Sequence, residues 1–323
     1  MSRGICICLE FLTPAHKRRI QEVAKPLGFT PYFFGTDQLE EARERLQGCE
    51  ILYAHSKDLA RSAPAGLKWY CCSWAGVEPY CEDPTILKNP RCLLTNSNGY
   101  GVTIAEHILM TALMLLRRYP EYQRLIQNRE WSNRLRFRAM RDTRFTILGT
   151  GGIGAVTARR LRAMEAREIT GLSRSGKSRP EFDRVLPISR LDEELVRAEF
   201  LIMTLPSTPE TRRLLSAERL ALLPRGAYLI NVGRGDALDQ AALVEALRDG
   251  RLAGAALDVA SPEPLPADDP LWEAPNLILT PHVAGNMIPG YTSDINVEMF
   301  CADLENYALG RPLARQVDRG LGY

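Results

Sequence analysis

Three side chains with acid–base or anion-binding chemistry follow strand-like runs in the second half of the chain. Arg234 comes after "LINVG", Glu263 lies between two prolines after "ALDVAS", and His282 comes after "LILTP". Reduction of a keto carbon leaves a developing alkoxide, and a histidine is the usual proton donor near neutral pH. A carboxylate on the other ring nitrogen fixes the tautomer, and an arginine binds a substrate carboxylate bidentately. Together these residues predict the reduction of a 2-oxo acid, with His282 as general acid/base.

Each of these residues also has a purely structural interpretation. Arg234 could lie in a surface turn, Glu263 could be a solvated loop carboxylate, and His282 could be a buried packing residue. The three nevertheless share one position, because each follows a strand of the same predicted sheet. Ligands of parallel sheets bind at the carboxyl ends of the strands. This shared position favours a catalytic site over three separate structural roles.

A glycine-rich turn lies upstream, in the stretch "FTILGTGGIG". Gly149, Gly151 and Gly154 have G-x-G-x-x-G spacing, with an apolar strand before them and an Ala-rich helix after them. In this context Gly149 permits the tight turn, Gly151 lets backbone amides approach a pyrophosphate, and Gly154 lets the helix pack close to the sheet. The alternative is a glycine-rich turn without a ligand. The flanking strand and helix favour a dinucleotide site.

The strand that follows the glycine turn ends in a basic segment instead of an acidic residue. Ser173, Arg174, Ser175 and Lys177 follow "EITGL", and no carboxylate comes after them until Glu181. A carboxylate would hold a ribose 2′-hydroxyl, whereas a 2′-phosphate needs hydroxyls, a guanidinium and an ammonium. The segment therefore predicts NADP(H) as the preferred cofactor and NAD(H) as the weaker one. A solvated basic loop is the alternative.

Strand-like and helix-like segments alternate along the chain, which predicts an α/β protein with parallel sheets. Buried strands are predicted at "ICICL", "EILYA", "LKWYCCS" and "CLLTN", and again at "RFTILG", "REITGL", "EFLIMTL", "AYLINV", "AGAALDV" and "NLILT". We expect two doubly wound parallel-sheet domains, Rossmann-like or flavodoxin-like, with a cleft between them. Residues 99–286 would form the dinucleotide-binding domain. Residues 1–98 and 287–323 would form a discontinuous substrate domain, because the amphipathic helix near the C-terminus is needed to cover the first sheet.

Composition excludes several other classes of protein. The 323 residues carry a net charge of +2, which indicates no nucleic-acid or membrane partner. The four histidines are scattered and the eight cysteines contain no C-x-x-C spacing, so no metal site is predicted and free thiols are expected. The N-terminus lacks the layout of a signal peptide, and the apolar stretch from Ile104 to Leu116 is too short to span a bilayer. We expect a cytoplasmic protein.

One basic segment has no evident role in this chemistry. The run "NREWSNRLRFRAMRDTR" is rich in arginine and follows a long apolar helix that should break near Pro120. Such a run is usually a solvated face, although a subunit contact or a phosphate-facing arm would also explain it.

Six motifs in a fixed order make the chain resemble the D-2-hydroxyacid dehydrogenase family over essentially its whole length. They are "AEH" at 105–107, "GTGGIG" at 149–154, "LPSTPETRRLL" at 205–215, "NVGRGDALD" at 231–239, "ALDVASPEPLP" at 256–266 and "TPHVAGN" at 280–286. Within the family, the basic segment "SRSGK" is similar to that of the NADPH-dependent glyoxylate/hydroxypyruvate reductases. The resemblance implies a homodimer formed through the nucleotide domain.

The resemblance also assigns roles to individual residues. It makes Arg234 a substrate ligand, pairs Glu263 with His282, and places the nicotinamide carboxamide against Asp258. The backbone amides around Ala75, Gly76 and Val77 would hold the substrate carboxylate. The remaining cofactor contacts that we expect are Thr103, Thr150, Gly152, Ile153, Leu205, Pro206, Val232, Gly233 and Gly285.

Two other functions fit the same fold. A formate-type dehydrogenase needs no proton transfer, and its relatives carry glutamine where this chain has Glu263, which argues against that chemistry. A dinucleotide-sensing binding protein or co-repressor can retain the arginine, glutamate and histidine, so these residues alone do not exclude it. Turnover of NADPH with a 2-oxo acid separates the enzyme from the binding protein.

Overall fold

The computed structural model describes residues 3–285 and 290–322. The chain divides into two compact units, one formed by residues 1–100 with 287–323 and the other by residues 101–286. The roles of the two units in binding substrate and cofactor stay predictions. Each unit contains a parallel sheet with helices, which confirms the predicted fold class of two parallel-sheet α/β domains.

The first unit contains a five-stranded sheet whose strands are all parallel, in the order β2-β1-β3-β4-β5. The strands are β1 (Arg3–Cys8), β2 (Phe29–Phe34), β3 (Cys49–Ala54), β4 (Trp69–Cys72) and β5 (Leu93–Thr95). The four strands predicted in this region are confirmed. The sequence did not predict β2, because Pro31 interrupts its run. A proline is tolerated in this strand because β2 lies at the edge of the sheet.

Four helices connect these strands: α1 (Pro14–Ala24), α2 (Leu39–Leu46), α3 (Lys57–Ser62) and α4 (Glu78–Glu82). Side-chain capping determines where two of these helices begin. The Thr13 hydroxyl accepts from the His16 amide while the His16 ring accepts from the Thr13 amide, and the Ser56 side chain accepts from the Leu59 amide.

The second unit contains a seven-stranded parallel sheet in the order β12-β11-β10-β9-β6-β7-β8. The strands are β6 (Arg144–Leu148), β7 (Glu168–Ser173), β8 (Arg184–Pro187), β9 (Phe200–Met203), β10 (Ala227–Asn231), β11 (Leu252–Leu257) and β12 (Leu277–Leu279). The six predicted strands are confirmed, and the short edge strand β8 is additional. The strand order reverses at β6, so the turn after β6 lies at a topological switch point, where such sheets bind ligands.

The helices of this unit are α5 (Gly101–Leu116), α6 (Tyr119–Gln127), α7 (Gly152–Ala163), α8 (Leu191–Leu195), α9 (Ala217–Leu222) and α10 (Gln240–Arg248). The predicted helix break is confirmed between α5 and α6. Arg118 has a left-handed φ of 58°, and Pro120 occupies the first turn of α6. The arginine-rich segment that follows has no helix or strand from residue 130 to 139.

The last helix, α11 (Thr292–Ala308), returns to the first sheet. Its residues Val297, Phe300, Cys301 and Leu304 join the buried cluster on one face of that sheet, and Phe300 stacks on Tyr53 with ring centroids 4.3 Å apart. The prediction that the C-terminal helix covers the N-terminal layer is therefore confirmed. The eight cysteines of the chain are unpaired thiols, and all except Cys81 are buried.

Candidate active site

The glycine turn after β6 requires two of its glycines for steric reasons. Gly149 has a φ of +105°, and a Cβ there would lie 2.6 Å from Thr204 Oγ1. A Cβ on Gly154 would lie 2.0 Å from the carbonyl oxygen of Gly149, so any other residue would force α7 away from the sheet. Gly151 and Gly152 are exposed, and a Cβ on either would meet no atom within 4 Å. Open space therefore lies in front of the N-terminus of α7, where helix amides and the helix dipole favour phosphate.

The basic segment after β7 is an ordered loop. The Gly176 amide donates to Ser173 Oγ at 3.1 Å, and the Lys177 amide donates to Ser175 Oγ at 3.3 Å. Gly176 has a φ of +65°, and a Cβ there would lie 2.7 Å from the Pro187 backbone nitrogen. These contacts leave the side chains of Arg174 and Lys177 exposed at the end of a strand that pairs with β6.

Two charged residues near this loop were not assigned from the sequence. Arg179 donates through Nη1 to the carbonyl oxygen of Thr150, so its guanidinium lies against the glycine turn. The pKa of Glu210 is lowered by hydrogen bonds from its own backbone and from Thr208, and to a smaller extent by the charge of Arg174. Arg179 belongs to the same basic run as Arg174, which is the feature that could have identified it.

The histidine and the carboxylate predicted to form the acid–base pair are in contact. His282 Nδ1 lies 2.8 Å from Glu263 Oε2, while Glu263 Oε1 accepts from the Ala260 amide at 2.9 Å. The two side chains are 50% and 38% exposed, so the pair is open to a ligand. Gln240 at the start of α10 holds the same loop, with its Nε2 donating to Ser261 O and its Oε1 accepting from Ser261 N. The sequence did not point to Gln240.

The loop that carries Arg234 packs directly on the loop that carries Glu263. The side chain of Asn231 fixes it, donating to Arg234 O at 2.9 Å and accepting from Gly233 N at 3.0 Å. A Cβ on Gly233 would lie 2.6 Å from Leu205 O, and one on Gly235 would lie 2.1 Å from the carbonyl carbon of Ala260. The glycines on both sides of Arg234 therefore allow three loops to meet at the end of the sheet.

Asp258 directly follows β11, is buried, and accepts three internal hydrogen bonds through its carboxylate. Its Oδ1 accepts from Thr280 Oγ1 at 2.6 Å and from Val283 N at 2.9 Å, and its Oδ2 accepts from Ala284 N at 3.0 Å. The resemblance assigned this residue to the nicotinamide carboxamide. In the structure the carboxylate organises the backbone that follows His282.

The predicted substrate loop belongs to the first unit, where it is held by side chains that the sequence did not single out. Asn96 Nδ2 donates to Ala75 O at 2.9 Å. Arg315 donates to Asn96 O and forms a buried ion pair with Asp303. Residues Ala75 and Gly76 are partly exposed, whereas Val77 is buried.

An aromatic pair lies directly before this loop. The exposed ring of Trp74 stacks on His55, with centroids 4.7 Å apart and planes 6° from parallel. Burial lowers the pKa of His55, and the nearby charge of Glu10 opposes this effect. His55 therefore has reason to stay neutral, and its Nδ1 lies 3.2 Å from Ser73 Oγ.

The other predicted cofactor residues lie at helix starts and strand ends of the second unit. Thr103 is buried in the first turn of α5, Ile153 is in the first turn of α7, Leu205 and Pro206 follow β9, and Val232 is buried after β10. Gly285 is partly buried, and Asn286, the last residue of the "TPHVAGN" motif, lies outside the described residues.

The described part of the chain offers neither a metal centre nor a membrane span. No group of three or more His, Cys, Asp or Glu side chains among residues 3–285 and 290–322 is placed to hold a metal ion. None of the helices there combines the length and the apolar character needed to cross a bilayer.

A glycine turn at the switch point of a parallel sheet, with a histidine–carboxylate pair after two strands of the same sheet, is typical of a dinucleotide-dependent oxidoreductase. The family model for the D-isomer specific 2-hydroxyacid dehydrogenase NAD-binding domain matches residues 109–284, which is more than half of the chain. The chain belongs to the D-isomer specific 2-hydroxyacid dehydrogenase family and is an oxidoreductase. The resemblance inferred from the six motifs is thereby confirmed.

Individual relatives agree with this assignment. Glyoxylate/hydroxypyruvate reductase A from Salmonella newport is 35% identical over 225 residues, which cover 70% of this chain and 70% of that protein. A D-isomer specific 2-hydroxyacid dehydrogenase family protein from Aeromonas salmonicida superposes with a TM-score of 0.84 at 31% identity, covering 99% of this chain and 100% of that one. The NADPH-dependent glyoxylate/hydroxypyruvate reductase from Sinorhizobium meliloti, crystallised with NADP and sulfate, superposes at 0.83 with 27% identity over 100% of both chains.

Proposed function

We propose that this protein is a cytoplasmic, NADPH-dependent reductase of small 2-oxo acids such as glyoxylate and hydroxypyruvate, forming the D-(R)-2-hydroxy acid, and that it uses NADH less well. The observation that carries the proposal is the 2.8 Å contact between His282 Nδ1 and Glu263 Oε2, next to the loop of Arg234. Relatives named as glyoxylate/hydroxypyruvate reductases support the substrate class. Residues 99–286 would bind the cofactor, and residues 1–98 with 287–323 would bind the substrate.

The residues of the second unit fit a phosphorylated dinucleotide. The open space at Gly151 and Gly152 would receive the pyrophosphate, and the exposed Arg174 and Lys177 would receive the 2′-phosphate together with the hydroxyls of Ser173 and Ser175. When bound, NADPH would supply the hydride. The complexes of related proteins with NADP and NADPH support this choice of cofactor.

The protein's own side chains would carry the remaining chemistry. The contact with Glu263 leaves His282 Nε2 as the proton donor to the developing alkoxide, because Nδ1 is engaged by the carboxylate. Arg234 would bind the substrate carboxylate bidentately and polarise the adjacent carbonyl. In the first unit, the amides around Ala75, Gly76 and Val77 are the proposed substrate contacts.

The function is tested by following NADPH absorbance with purified protein and a panel of 2-oxo acids, including glyoxylate, hydroxypyruvate, pyruvate and 2-oxoglutarate. We expect turnover with glyoxylate and hydroxypyruvate, a lower kcat/KM with NADH, and an (R)-configured product from hydroxypyruvate. NADPH binding without oxidation by any 2-oxo acid would instead identify a dinucleotide-sensing protein.

The basic loop predicts the effect of Arg174→Ala on cofactor choice. Loss of one charge-assisted hydrogen bond costs about 1.5–3 kcal/mol, equivalent to a roughly 10- to 150-fold weaker Kd for NADPH. Because Arg174 is exposed, we expect the lower end of this range at physiological salt. The Kd for NADH should change little, which fluorescence titration of both cofactors measures.

Two companion variants sharpen this measurement. Arg190→Ala removes another exposed arginine, which lies outside the loop and pairs with Glu193, and it should leave both Kd values unchanged. Glu210→Gln removes a carboxylate that interacts electrostatically with Arg174. Because this negative charge would repel the 2′-phosphate, its loss should lower the Kd for NADPH. Equal weakening of NADPH and NADH by Arg174→Ala would show that this arginine does not read the 2′-phosphate.

We also propose that the protein is a homodimer formed through the nucleotide domain. Large apolar side chains are exposed on α5, on α6 and in the arginine-rich segment, among them Met110, Ile126, Trp131 and Phe137. Trp131 is 103% exposed, which is unfavourable for an indole unless another surface covers it. A subunit contact would therefore explain the segment better than a solvated face.

Trp131→Ala is expected to shift the oligomeric equilibrium toward monomer. Light scattering coupled to size-exclusion chromatography over a dilution series would measure the shift. Trp272→Ala is the matched control, because Trp272 is also exposed in the same unit but donates its indole N–H internally to Pro266 O. A wild-type protein that stays monomeric at high concentration would contradict the dimer.

A further inference from the structure

A partly buried chain of hydrogen bonds leads from α5 to the loop of His282. His107 Nε2 on α5 lies 3.3 Å from Thr280 Oγ1, and Thr280 Oγ1 donates to Asp258 Oδ1 at 2.6 Å. Because the hydroxyl proton of Thr280 goes to the carboxylate, its oxygen accepts from His107, which fixes the proton of a neutral His107 on Nε2. None of these steps involves a predicted substrate contact.

The other end of the chain fixes the backbone on both sides of His282. The carbonyl oxygen of Asp258 accepts from His282 N at 2.8 Å, and its carboxylate accepts from the amides of Val283 and Ala284. His282 has a φ of 57°, in the left-handed region that residues with a Cβ rarely occupy. Such a conformation persists only when surrounding contacts enforce it, and here Asp258 provides three of them.

We propose that His107 and Thr280 are positioning residues for His282, acting through Asp258. The inference rests on the proposed function, since His282 is the proton donor there. Glu263 fixes the direction of the imidazole from the ring side, through Nδ1. The Thr280–Asp258 pair fixes the backbone of His282. Glu263 therefore controls the orientation of the ring, and the Thr280–Asp258 pair controls the position of the backbone that carries it.

The charge and burial of the groups support a positioning role over simple packing. Asp258 is 3% exposed, and a carboxylate this deeply buried depends on its donors. Burial lowers the pKa of His107, while the charge of Asp258 acts in the opposite direction. Removing the Thr280 hydroxyl would take one donor from Asp258 and leave the His107 N–H without its acceptor. The carboxylate would then be free to reorient, and the amides of Val283 and Ala284 would lose their common anchor.

The decisive comparison is Thr280→Val against Thr280→Ser. Valine keeps the shape of threonine but removes the hydroxyl, whereas serine keeps the hydroxyl. We expect Thr280→Val to lower kcat by a factor of about 100, the order of loss that a misplacement of about 1 Å produces. Thr280→Ser should restore kcat to near the wild-type value.

Thr111→Val is the matched control. Thr111 is buried on α5 one turn after His107, and its hydroxyl donates only to the carbonyl oxygens of His107 and Ile108. The Thr111→Val variant should therefore have the wild-type kcat. His107→Gln, which retains an N–H donor, is expected to lose less activity than His107→Phe, which retains none. Thermal melting of each variant checks that it is folded.

Hydrogen exchange gives a readout that does not depend on turnover. In Thr280→Val, the amides of Val283 and Ala284 should exchange faster than in wild type, whereas Thr280→Ser and Thr111→Val should exchange at the wild-type rate. Wild-type exchange and wild-type kcat in Thr280→Val would overturn the inference. If the wild-type protein reduces no 2-oxo acid, the proposed function fails, and the exchange measurement still decides whether the chain of hydrogen bonds holds this loop.

Discussion

Replacement of His282 by asparagine is expected to reduce kcat by a factor of about 100 to 10,000, the usual contribution of a positioned general acid–base. Asparagine tolerates a left-handed backbone, so it suits the φ of 57° at this position better than alanine would. The Kd for NADPH should stay close to the wild-type value, because the glycine turn and the basic loop are separate from this residue. Steady-state rates with glyoxylate and fluorescence titration with NADPH measure the two quantities.

Glu263→Gln provides the companion to that experiment. Glutamine keeps the size of the side chain but loses the negative charge that stabilises a protonated imidazole as the proton donor. Turnover should therefore fall although the contact with His282 remains possible. Wild-type turnover in His282→Asn would remove the histidine from the mechanism, whereas loss in His282→Asn alone would leave Glu263 with a structural role only.

Replacement of Arg234 by lysine is expected to lower kcat/KM for glyoxylate by about 100-fold, although the positive charge is retained. The guanidinium donates two parallel hydrogen bonds to a carboxylate, whereas the lysine ammonium acts as a point charge and does not reproduce this bidentate geometry. Loss of one charge-assisted hydrogen bond costs up to about 3 kcal/mol, which corresponds to a factor of this size. Steady-state kinetics with glyoxylate and with hydroxypyruvate measure the change.

Arg248→Ala is the control for Arg234→Lys. Arg248 lies on α10 in the same unit and forms an exposed ion pair with Glu245, so its loss should not alter kcat/KM. An unchanged kcat/KM in Arg234→Lys would show that the arginine serves as a charge alone. An unchanged value in Arg234→Gln as well would exclude it from substrate binding.

The sequence predicted the parts of this protein that depend on local patterns. Strand burial and turn geometry are local properties, so about 10 residues of sequence are enough to predict them. This holds for the apolar strands, for the glycine spacing from Gly149 to Gly154 and for the serine at the end of β7. The contact between His282 and Glu263 was also predicted, from the need of a proton-donating histidine for a carboxylate partner and from the family resemblance. The edge strands β2 and β8 were not predicted, because a proline within or at the end of a short apolar run makes the run look unlike a strand.

Side chains whose role depends on distant partners could not be predicted in the same way. Gln240 holds the Glu263 loop from a helix start, Arg179 reaches back to Thr150, and Asn96 holds Ala75 from a different strand. Amides and arginines of this kind are common on every surface, so residue type alone carries no information about them. Asp258 was recognised, but its internal donors come from residues more than 20 positions away and become visible only after folding.

The close approach of Gly235 to Ala260 packs the loop of Arg234 tightly against the loop of Glu263. A larger residue at position 235 would displace both loops together, so a substitution there would affect the proposed substrate arginine and the proposed partner of His282 at once. If the proposed function holds, substitutions that change substrate range are expected outside these two loops, for example at the exposed Trp74 beside the Ala75–Val77 loop.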